Sequence, residues 1–249
     1  MKKNKNKETK SIEKAIALIV LIIVVVIGTY FGIEFDVEGM FNEMISDVPE
    51  ISYSIEEIPE YNGKIYVVID DNNPDFSEED MEINEYYSEL KDGRVGMCII
   101  KTSWKKAKSD EVKDDYSSIY PTGYKQKKYD SSIVPGEYIY NRSHIIGWML
   151  GGKDVDERNL MAGTQNFNMN GMKQFEDKVY DYLRENKSNH VLYRVTPYFV
   201  ENNKLANGVQ MEAYSIEDNG KLHFNVYVYN VQDGIIIDYA TGENKLAKK

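Results

Sequence analysis

The sequence predicts an α+β fold, with a mainly antiparallel β-sheet as its core and one N-terminal transmembrane helix before it. Several short segments alternate apolar and polar residues, which is typical of half-buried strands. Glycine, asparagine and aspartate separate these segments, and such turn residues favour hairpins and therefore antiparallel pairing. Residues 169–187 instead repeat their apolar positions at helical spacing, and residues 15–33 contain no charged side chain.

Residues 15–33 are expected to span a membrane. A helix of this length, rising about 1.5 Å per residue, reaches roughly 28 Å, close to the thickness of the hydrocarbon core. A cleaved signal peptide, which would give a secreted form, is the alternative, but the apolar run is long and Gly28-Thr29-Tyr30 is a poor cleavage site. Six lysines in residues 1–14 place that tail in the cytoplasm. We therefore expect a single-pass protein of the cell membrane whose C-terminal part is extracellular.

The rest of the chain divides into an acidic stalk or linker, residues 34–63, and a folded domain, residues 64–249. Alternation begins with a strand at 64–69, and a turn-rich acidic loop follows at 70–81. The later segments are, in order, a short helix at 84–90, strands at 94–101, 137–144 and 159–162, a helix at 169–187, and strands at 190–200, 209–216, 222–231 and 235–239.

The net charge of −11 counts against a tight binder of nucleic acid, since phosphate recognition normally shows as a basic footprint. One stretch, residues 101–128, is rich in lysine. Near its end Lys125, Lys127 and Lys128 lie among aromatic residues, as on a surface that follows a phosphate backbone, although a solvated loop would have the same composition. The single cysteine, Cys98, excludes an internal disulfide and a cysteine-based zinc cluster.

The chain has three histidines, and their positions differ in kind. His223 falls on the outward face of an alternating strand, and His190 opens a strand after a turn-like segment, so we expect both to be structural. His144 ends a strand, follows Arg142 by two residues and precedes a glycine-containing exit from that strand. This position makes His144 the candidate for chemistry.

Phosphodiester hydrolysis needs groups that the chain around His144 supplies. A neutral imidazole takes a proton from water near neutral pH. A hard divalent cation such as Mg²⁺ accepts one or two oxygen ligands from protein and keeps several waters, and an arginine offers paired hydrogen bonds to phosphate. Arg142, His144, Asn168 and Glu176 match these requirements. Asparagines also cluster in loops as turn residues, so the residues alone leave a structural interpretation open.

Residues 141–144, Asn-Arg-Ser-His, resemble the D-R-G-H motif of the DNA/RNA non-specific endonucleases, a family within the ββα-metal (His-Me finger) superfamily. Residues 159–168 (NLMAGTQNFN) and 171–178 (GMKQFEDK) are similar to the DNA-entry nuclease branch of Gram-positive bacteria. The similarity runs from about residue 64 to residue 243. It implies a ββα-metal finger embedded in the antiparallel core, and it makes residues 64–249 a nuclease domain.

Carried over residue by residue, the resemblance implies His144 as general base and Asn168 as the direct ligand of Mg²⁺, with Mn²⁺ as a substitute. It implies that Asn159 lies beside His144 and steadies the site, that Glu176 orients water on the metal, and that Arg142 contacts the phosphate. The implied activity is sequence-nonspecific hydrolysis of DNA and RNA to 5′-phosphate and 3′-hydroxyl ends. The implied partners are nucleic acid and the membrane, and nothing in the sequence indicates a protein partner.

Two positions depart from the family motif: Asn141 stands in place of aspartate and Ser143 in place of glycine. An amide keeps a structural hydrogen bond but no charge-assisted one, and serine requires a backbone without strongly positive φ. Two other functions therefore remain open. One is a catalytically impaired nuclease-like module that binds nucleic acid or a partner at the cell surface, and the other is a membrane-anchored interaction protein. The intact set of His144, Asn168 and Glu176 favours the enzyme.

Overall fold

The structure is a computed structural model, and it describes residues 52–107 and 115–248. Within these ranges no helix is both long enough and apolar enough to cross a membrane. The expected transmembrane segment, residues 15–33, lies outside the described residues, as do the tail 1–14 and residues 34–51 of the expected stalk.

Strands make up most of the regular structure in the described ranges. In chain order they are β1 (Ser52–Tyr53), β2 (Tyr66–Ile69), β3 (Glu85–Tyr87), β4 (Cys98–Ser103), β5 (Tyr140–His144), β6 (Leu160–Thr164), β7 (His190–Tyr198), β8 (Gly208–Ser215), β9 (His223–Tyr229), β10 (Ile235–Ile237) and β11 (Asn244–Leu246). The α-helices are α1 (Glu78–Glu82) and α2 (Lys173–Glu185), and a π-helical turn, Phe167–Met172, leads directly into α2.

Seven of these strands form one sheet in the order β1-β2-β9-β8-β7-β4-β3. The β1–β2 pair is parallel, and the other neighbouring pairs are antiparallel. This confirms the predicted α+β class with a mainly antiparallel sheet, and β7, β8 and β9 follow one another as the expected hairpins. Alternate residues of β7, namely Val191, Tyr193 and Val195, are fully buried in the same core as α2, as period-two strands require.

Helix α2 packs on this sheet through the apolar stripe that the sequence predicts. Phe175, Val179 and Leu183 are buried at helical spacing, and the Phe175 ring meets Tyr66 of β2 edge-on with centroids 5.0 Å apart. Gly171 permits the close approach, because an added Cβ would lie 2.5 Å from a valine methyl group of β9. Burial of the stripe fixes the rotation of α2 and with it the direction of the side chains beside the stripe.

A separate pair of strands, β5 and β6, forms with α2 a unit that we call the finger. The pair is antiparallel, with His144 opposite Leu160 and Asn141 opposite Gly163. The order strand, strand, helix is the one that the family resemblance implies. The predicted strand at 137–144 begins earlier than β5 but ends correctly at His144.

The side chain of Asn230 joins the finger to the large sheet through hydrogen bonds. It lies just past the end of β9 and is fully buried. Its Oδ1 accepts a hydrogen bond from the Thr164 amide at 2.9 Å, and its Nδ2 donates to the carbonyls of Ala162 and Ala206 at 3.1 and 3.0 Å. Because one side chain satisfies three buried backbone groups, it fixes the end of β6 relative to β9.

Two short elements differ from the sequence prediction. The helix expected at 84–90 is wrong, because β3 lies there as an edge strand paired antiparallel with β4. Tyr87 is buried in this strand, and burial outweighs the composition of the segment. The acidic loop expected at 70–81 contains α1, which begins after Ser77 with a capping box.

Residues 52–63 contribute to the folded domain, although the sequence places them in the stalk. Ser52 and Tyr53 pair with the end of β2. The Tyr61 ring meets Tyr229 of β9 edge-on, with centroids 5.6 Å apart. These contacts belong to a second, smaller core that includes Val67, whose side chain points away from the core beneath α2.

The single cysteine, Cys98, opens β4 and is fully buried. Its Sγ donates to the carbonyl oxygen of Arg158 at 3.5 Å. Burial raises the pKa of the thiol to about 12, so the thiol stays protonated at neutral pH. Since the thiolate is the reactive form, Cys98 is chemically inert in the folded protein.

We expect Asn230→Ala to lower the free energy of unfolding by about 3 kcal/mol or more, because it leaves the Thr164 amide and two carbonyls buried without their partner. Chemical denaturation of the purified protein measures this change. Asn62→Ala is the matched control, since its exposed side chain accepts a single hydrogen bond from Lys64 and its loss is expected to cost below about 1 kcal/mol. Equal effects of the two substitutions would contradict the assigned role of Asn230.

Candidate active site

A cleft of about 850 Å³ opens beside the finger. Its walls come from β5, the loop that follows β5, the π-helical turn, the start of α2 and the segment 116–126. The cleft brings together four of the residues that the sequence singles out for chemistry: Arg142, His144, Asn168 and Glu176. Asn159, Lys125, Lys127 and Lys128 do not line it.

His144 ends β5, and its imidazole is largely enclosed. The side chain is 9% exposed, as is that of Asp154, and His144 Nε2 lies 3.0 Å from Asp154 Oδ1. The same nitrogen lies 3.1 Å from the backbone carbonyl oxygen of Asp154. A carbonyl oxygen only accepts hydrogen bonds, so we assign the proton of the neutral ring to Nε2. Nδ1 is then the ring atom with the lone pair that takes up a proton.

The Tyr116 ring closes one side of the imidazole. It meets His144 edge-on with centroids 5.0 Å apart. Burial, followed by the charge of Asp154, raises the pKa of Tyr116, while Arg142 acts in the opposite direction. The phenol is therefore neutral at physiological pH, and the carboxylate of Asp154 is the anionic group in contact with the His144 ring.

The loop that carries Asp154 is held by Asn159. The Asn159 side chain is fully buried. Its Oδ1 accepts from the Ile146 amide at 2.8 Å, and its Nδ2 donates to the carbonyls of Ile146 and Lys153 at 3.0 and 2.7 Å. One side chain thus ties the chain just after His144 to the chain just before Asp154.

Glu176 reaches the cleft from the first turns of α2. An added Cβ at Gly147 would lie 2.6 Å from Glu176 Oε1. The carboxylate therefore packs directly against the backbone of Gly147, and any larger residue at this position would collide with it. The neighbouring Asp177 is instead paired with Lys173 at 2.6 Å. Burial and the charge of Glu176 together hold the pKa of Tyr193 well above its ordinary value, so a neutral phenol lies close to the carboxylate. Glu176 is therefore the cleft carboxylate of this helix.

Asn168 lies in the π-helical turn and is half-buried. Its Nδ2 contacts the Met169 sulfur at 3.6 Å, so the amide oxygen is the atom suited to act as a ligand. In the described part of the chain no three His, Cys, Asp or Glu side chains group as a metal cluster. An amide oxygen and the Glu176 carboxylate in one cleft are donor types that Mg²⁺ takes from proteins, with waters completing its shell. The donor set therefore fits this cation.

Arg142 contacts the segment 116–126, which forms one wall of the cleft. Its guanidinium lies over the rings of Tyr120 and Tyr124, at 4.8 and 4.7 Å from their centroids. It donates to the carbonyls of Ser117 and Ile119 at 2.7 and 2.5 Å. Arg142 thus holds this segment in place, and its contact with phosphate stays a prediction.

The three lysines lie on a ribbon formed by residues 124–129 and 137–140. Lys127 is paired with Glu243 at 3.1 Å, and Lys128 with Glu137 at 3.3 Å. Lys125 is exposed outside the cleft. Substrate binding by these lysines stays a prediction, and two of them carry acidic partners.

A family model described as DNA/RNA non-specific endonuclease matches residues 90–217, just over half of the chain and including the whole finger. The chain belongs to this family. The resemblance read from residues 141–178 is thereby confirmed, and the protein is a nuclease, a hydrolase that acts on nucleic acid.

Solved nuclease structures share the fold. NucA from Streptococcus agalactiae with magnesium ion bound is 22% identical, with a TM-score of 0.62 over 73% of this chain and 87% of that one. The same protein with no metal bound is 21% identical, with a TM-score of 0.64 over 78% and 92%. Sda1 nuclease with bound zinc ion is 24% identical, with a TM-score of 0.56 over 67% and 82%. At these identities the likeness supports the architecture.

The backbone of the nuclease accommodates both departures from the family motif, although the buried Ser143 Oγ has no hydrogen-bond partner among the described residues. Asn141 Nδ2 donates to Gln165 Oε1 at 2.6 Å, so an amide pair joins β5 to the segment after β6. Ser143 is buried in the extended strand β5, where serine meets no backbone strain. Gly163 makes room for it, since an added Cβ there would overlap Ser143 Oγ.

Sequence reasoning missed Asp154 and the aromatic lining of the cleft. Asp154 follows His144 by ten residues in a glycine-containing loop, and no periodic signal connects the two. The sequence indicates Tyr120 and Tyr124 only as aromatic neighbours of Lys125, Lys127 and Lys128, and not as part of a cleft. The other two histidines of the nuclease do not line the cleft: His190 is paired with Glu217 at 2.6 Å, and His223 is exposed.

Replacing Asp154 by asparagine keeps an acceptor for His144 Nε2 but removes the negative charge. A carboxylate favours the protonated imidazole, so its loss lets the neutral base persist to lower pH. We expect the acidic limb of the kcat/KM profile to move to lower pH. The plateau should fall, because the imidazolium formed during the reaction loses its counter-charge. Cleavage rates from pH 5 to 9 at saturating Mg²⁺ measure both effects.

Glu217→Gln is the control for this prediction, because Glu217 and His190 form another carboxylate–imidazole contact, which lies at the protein surface. Its profile should match that of the wild type. An unchanged acidic limb in Asp154→Asn would show that the carboxylate does not act on the base.

Proposed function

We propose that this nuclease is a divalent-metal-dependent, sequence-nonspecific endonuclease that hydrolyses phosphodiester bonds of DNA and RNA to 5′-phosphate and 3′-hydroxyl ends. The observation that carries the proposal is the contact of His144 Nε2 with Asp154 in a cleft shared with Asn168 and Glu176. This contact leaves Nδ1 as the proton acceptor at a place where an amide oxygen and a carboxylate are also present.

His144 acts as the general base. Its Nδ1 takes a proton from the attacking water, and the resulting positive charge is balanced by Asp154, whose carboxylate is 3.0 Å from Nε2. Because Asp154 contacts Nε2 through two oxygens, the ring keeps its orientation while the proton moves. Asn159 acts through the backbone on both sides of this pair and is a positioning residue.

Asn168 would hold the cation, Mg²⁺ with Mn²⁺ as a substitute, and Glu176 would orient water bound to it. The bound cation supplies charge stabilisation for the phosphate and the leaving oxygen. The structures of NucA with magnesium and Sda1 with zinc support a divalent ion at this fold. Arg142 keeps the segment above the cleft in position and offers its remaining N–H groups to the phosphate.

We also propose that the nuclease domain works outside the cell, tethered by residues 15–33. The lysine-rich tail 1–14 would stay in the cytoplasm and residues 34 onward would be exported, with the acidic segment 34–63 leading into the domain. A single, buried cysteine is compatible with an oxidising exterior.

We expect His144→Ala to lower cleavage of plasmid DNA and of RNA by roughly 10²- to 10⁴-fold at neutral pH, because a general base contributes this much. Thermal denaturation should still show one cooperative transition, at a lower Tm than in the wild type, because the enclosed Asp154 carboxylate loses its imidazole partner. His144→Gly should regain activity with added imidazole. His190→Ala and His223→Ala serve as controls and should cut like the wild type. A folded His144→Ala protein that retains more than about a tenth of the rate would exclude this mechanism.

Metal dependence is tested with a pair of neighbouring asparagines. Asn168→Ala should lower cleavage by at least about 10²-fold and raise the Mg²⁺ concentration needed for half-maximal rate. Asn170→Ala is the control, because Asn170 is exposed, contacts Asn166 at 2.8 Å and does not line the cleft. Cleavage that persists in excess chelator, or equal losses in both variants, would show that the cation is not held as proposed.

A further inference from the structure

Aromatic rings form much of the cleft surface beside His144. Six of its lining residues are aromatic: Tyr116, Tyr120, Tyr124, Tyr138, Tyr140 and Trp148. Tyr120 is 72% exposed and Tyr138 is 48% exposed, both unusually open for large apolar side chains. Rings left this open within a reaction cleft offer flat surfaces to a ligand rather than packing for the core.

The two exposed rings are held in place before any ligand arrives. The Arg142 guanidinium contacts the rings of both Tyr120 and Tyr124, which meet edge-on with centroids 6.2 Å apart. Lys128 Nζ lies 4.6 Å from the centroid of Tyr138, and Glu137 holds the same ammonium. Such rings lose little conformational entropy when a ligand stacks on them.

Positive charge in the cleft is scarce by comparison. Among the lining residues the cations are Arg142 and Lys173, and Lys173 is paired with Asp177. Glu176 adds a negative charge, and the chain as a whole carries −11. A polyanion gains little here from the release of counterions, which is the usual source of affinity for duplex DNA. Stacking on the rings therefore adds binding energy to what the proposed cation and Arg142 supply at the phosphate.

We propose that Tyr120 and Tyr138 form a base-stacking subsite for unpaired nucleotides next to the scissile phosphate, so that single-stranded nucleic acid is the preferred substrate. In a duplex both faces of each base are covered by neighbouring pairs, and only the backbone meets the protein. In a single strand the bases turn outward and stack on aromatic side chains, whatever their identity. The inference rests on the proposed function and names the substrate class of that site.

The test compares one labelled oligonucleotide, single-stranded or annealed to its complement, with the full-length protein in detergent. Wild type should show a lower KM for the single strand. Tyr120→Leu/Tyr138→Leu should raise that KM by roughly 5- to 150-fold, with kcat and duplex cleavage changed less than about twofold.

Two further variants serve as controls. Tyr120→Trp should retain the preference for the single strand, because an indole ring stacks on bases at least as well as a phenol ring. Tyr86→Leu is the control, since Tyr86 is 49% exposed but lies outside the cleft.

Retained duplex cleavage shows that the double variant is folded. An equal loss on both substrates, or no loss on the single strand, would overturn the stacking subsite while leaving the nuclease mechanism intact. Binding of both oligonucleotides to His144→Ala, measured by fluorescence anisotropy, separates the two proposals further. Tighter binding of the single strand supports the subsite even where no cleavage occurs, and equal or weaker binding overturns it.

Discussion

The buried side chain of Asn159 fixes the geometry on which the rest of the site depends. Its three hydrogen bonds join Ile146 to Lys153 across a loop that has no regular structure beyond one short turn. His144 precedes this closure by two residues and Asp154 follows it by one. The distance from imidazole to carboxylate is therefore set by backbone constraints on both sides, and no flexible surface side chain is involved. Gly147 lies within the same loop and leaves room for Glu176, so the same loop positions the His144 imidazole and this carboxylate.

A second amide, that of Asn230, extends this constraint to the large sheet. It satisfies backbone groups of β6 and of Ala206, two residues before β8, so the finger cannot shift without exposing buried polar groups. The proposed catalytic residues thus lie on a short hairpin and a helix, but their rigidity comes from the antiparallel sheet. Two uncharged side chains achieve this without the desolvation cost that buried charges carry.

Much of the fold follows from local sequence patterns. The alternation in β7, β8 and β9 and the stripe of α2 each bury a continuous face, so their periods survive in the structure. The end of β5 at His144 also followed from pattern.

The edge strand β3 could not be predicted from local pattern, because three residues are too few to show a period and Tyr87 is held by contacts with residues distant in sequence. Asp154 and the directions of Lys127 and Lys128 depend on loop closure and on the pairing of residues 124–129 with 137–140, which local spacing does not encode. The sequence predicts a phosphate contact for Arg142, whereas its hydrogen bonds to Ser117 and Ile119 depend on the three-dimensional path of a long loop.

The buried thiol of Cys98 has a practical consequence. It opens β4, which pairs with β7 in the interior of the large sheet, and it is the chain's single thiol. A thiol reagent reaches it only when β4 separates from its neighbours, so labelling occurs at the pace at which the sheet opens. The protein therefore carries an intrinsic reporter for unfolding of the sheet that supports the finger. Mass spectrometry detects the labelled thiol as one covalent adduct per molecule. The measurement needs no engineered label, and it works in the presence of substrate.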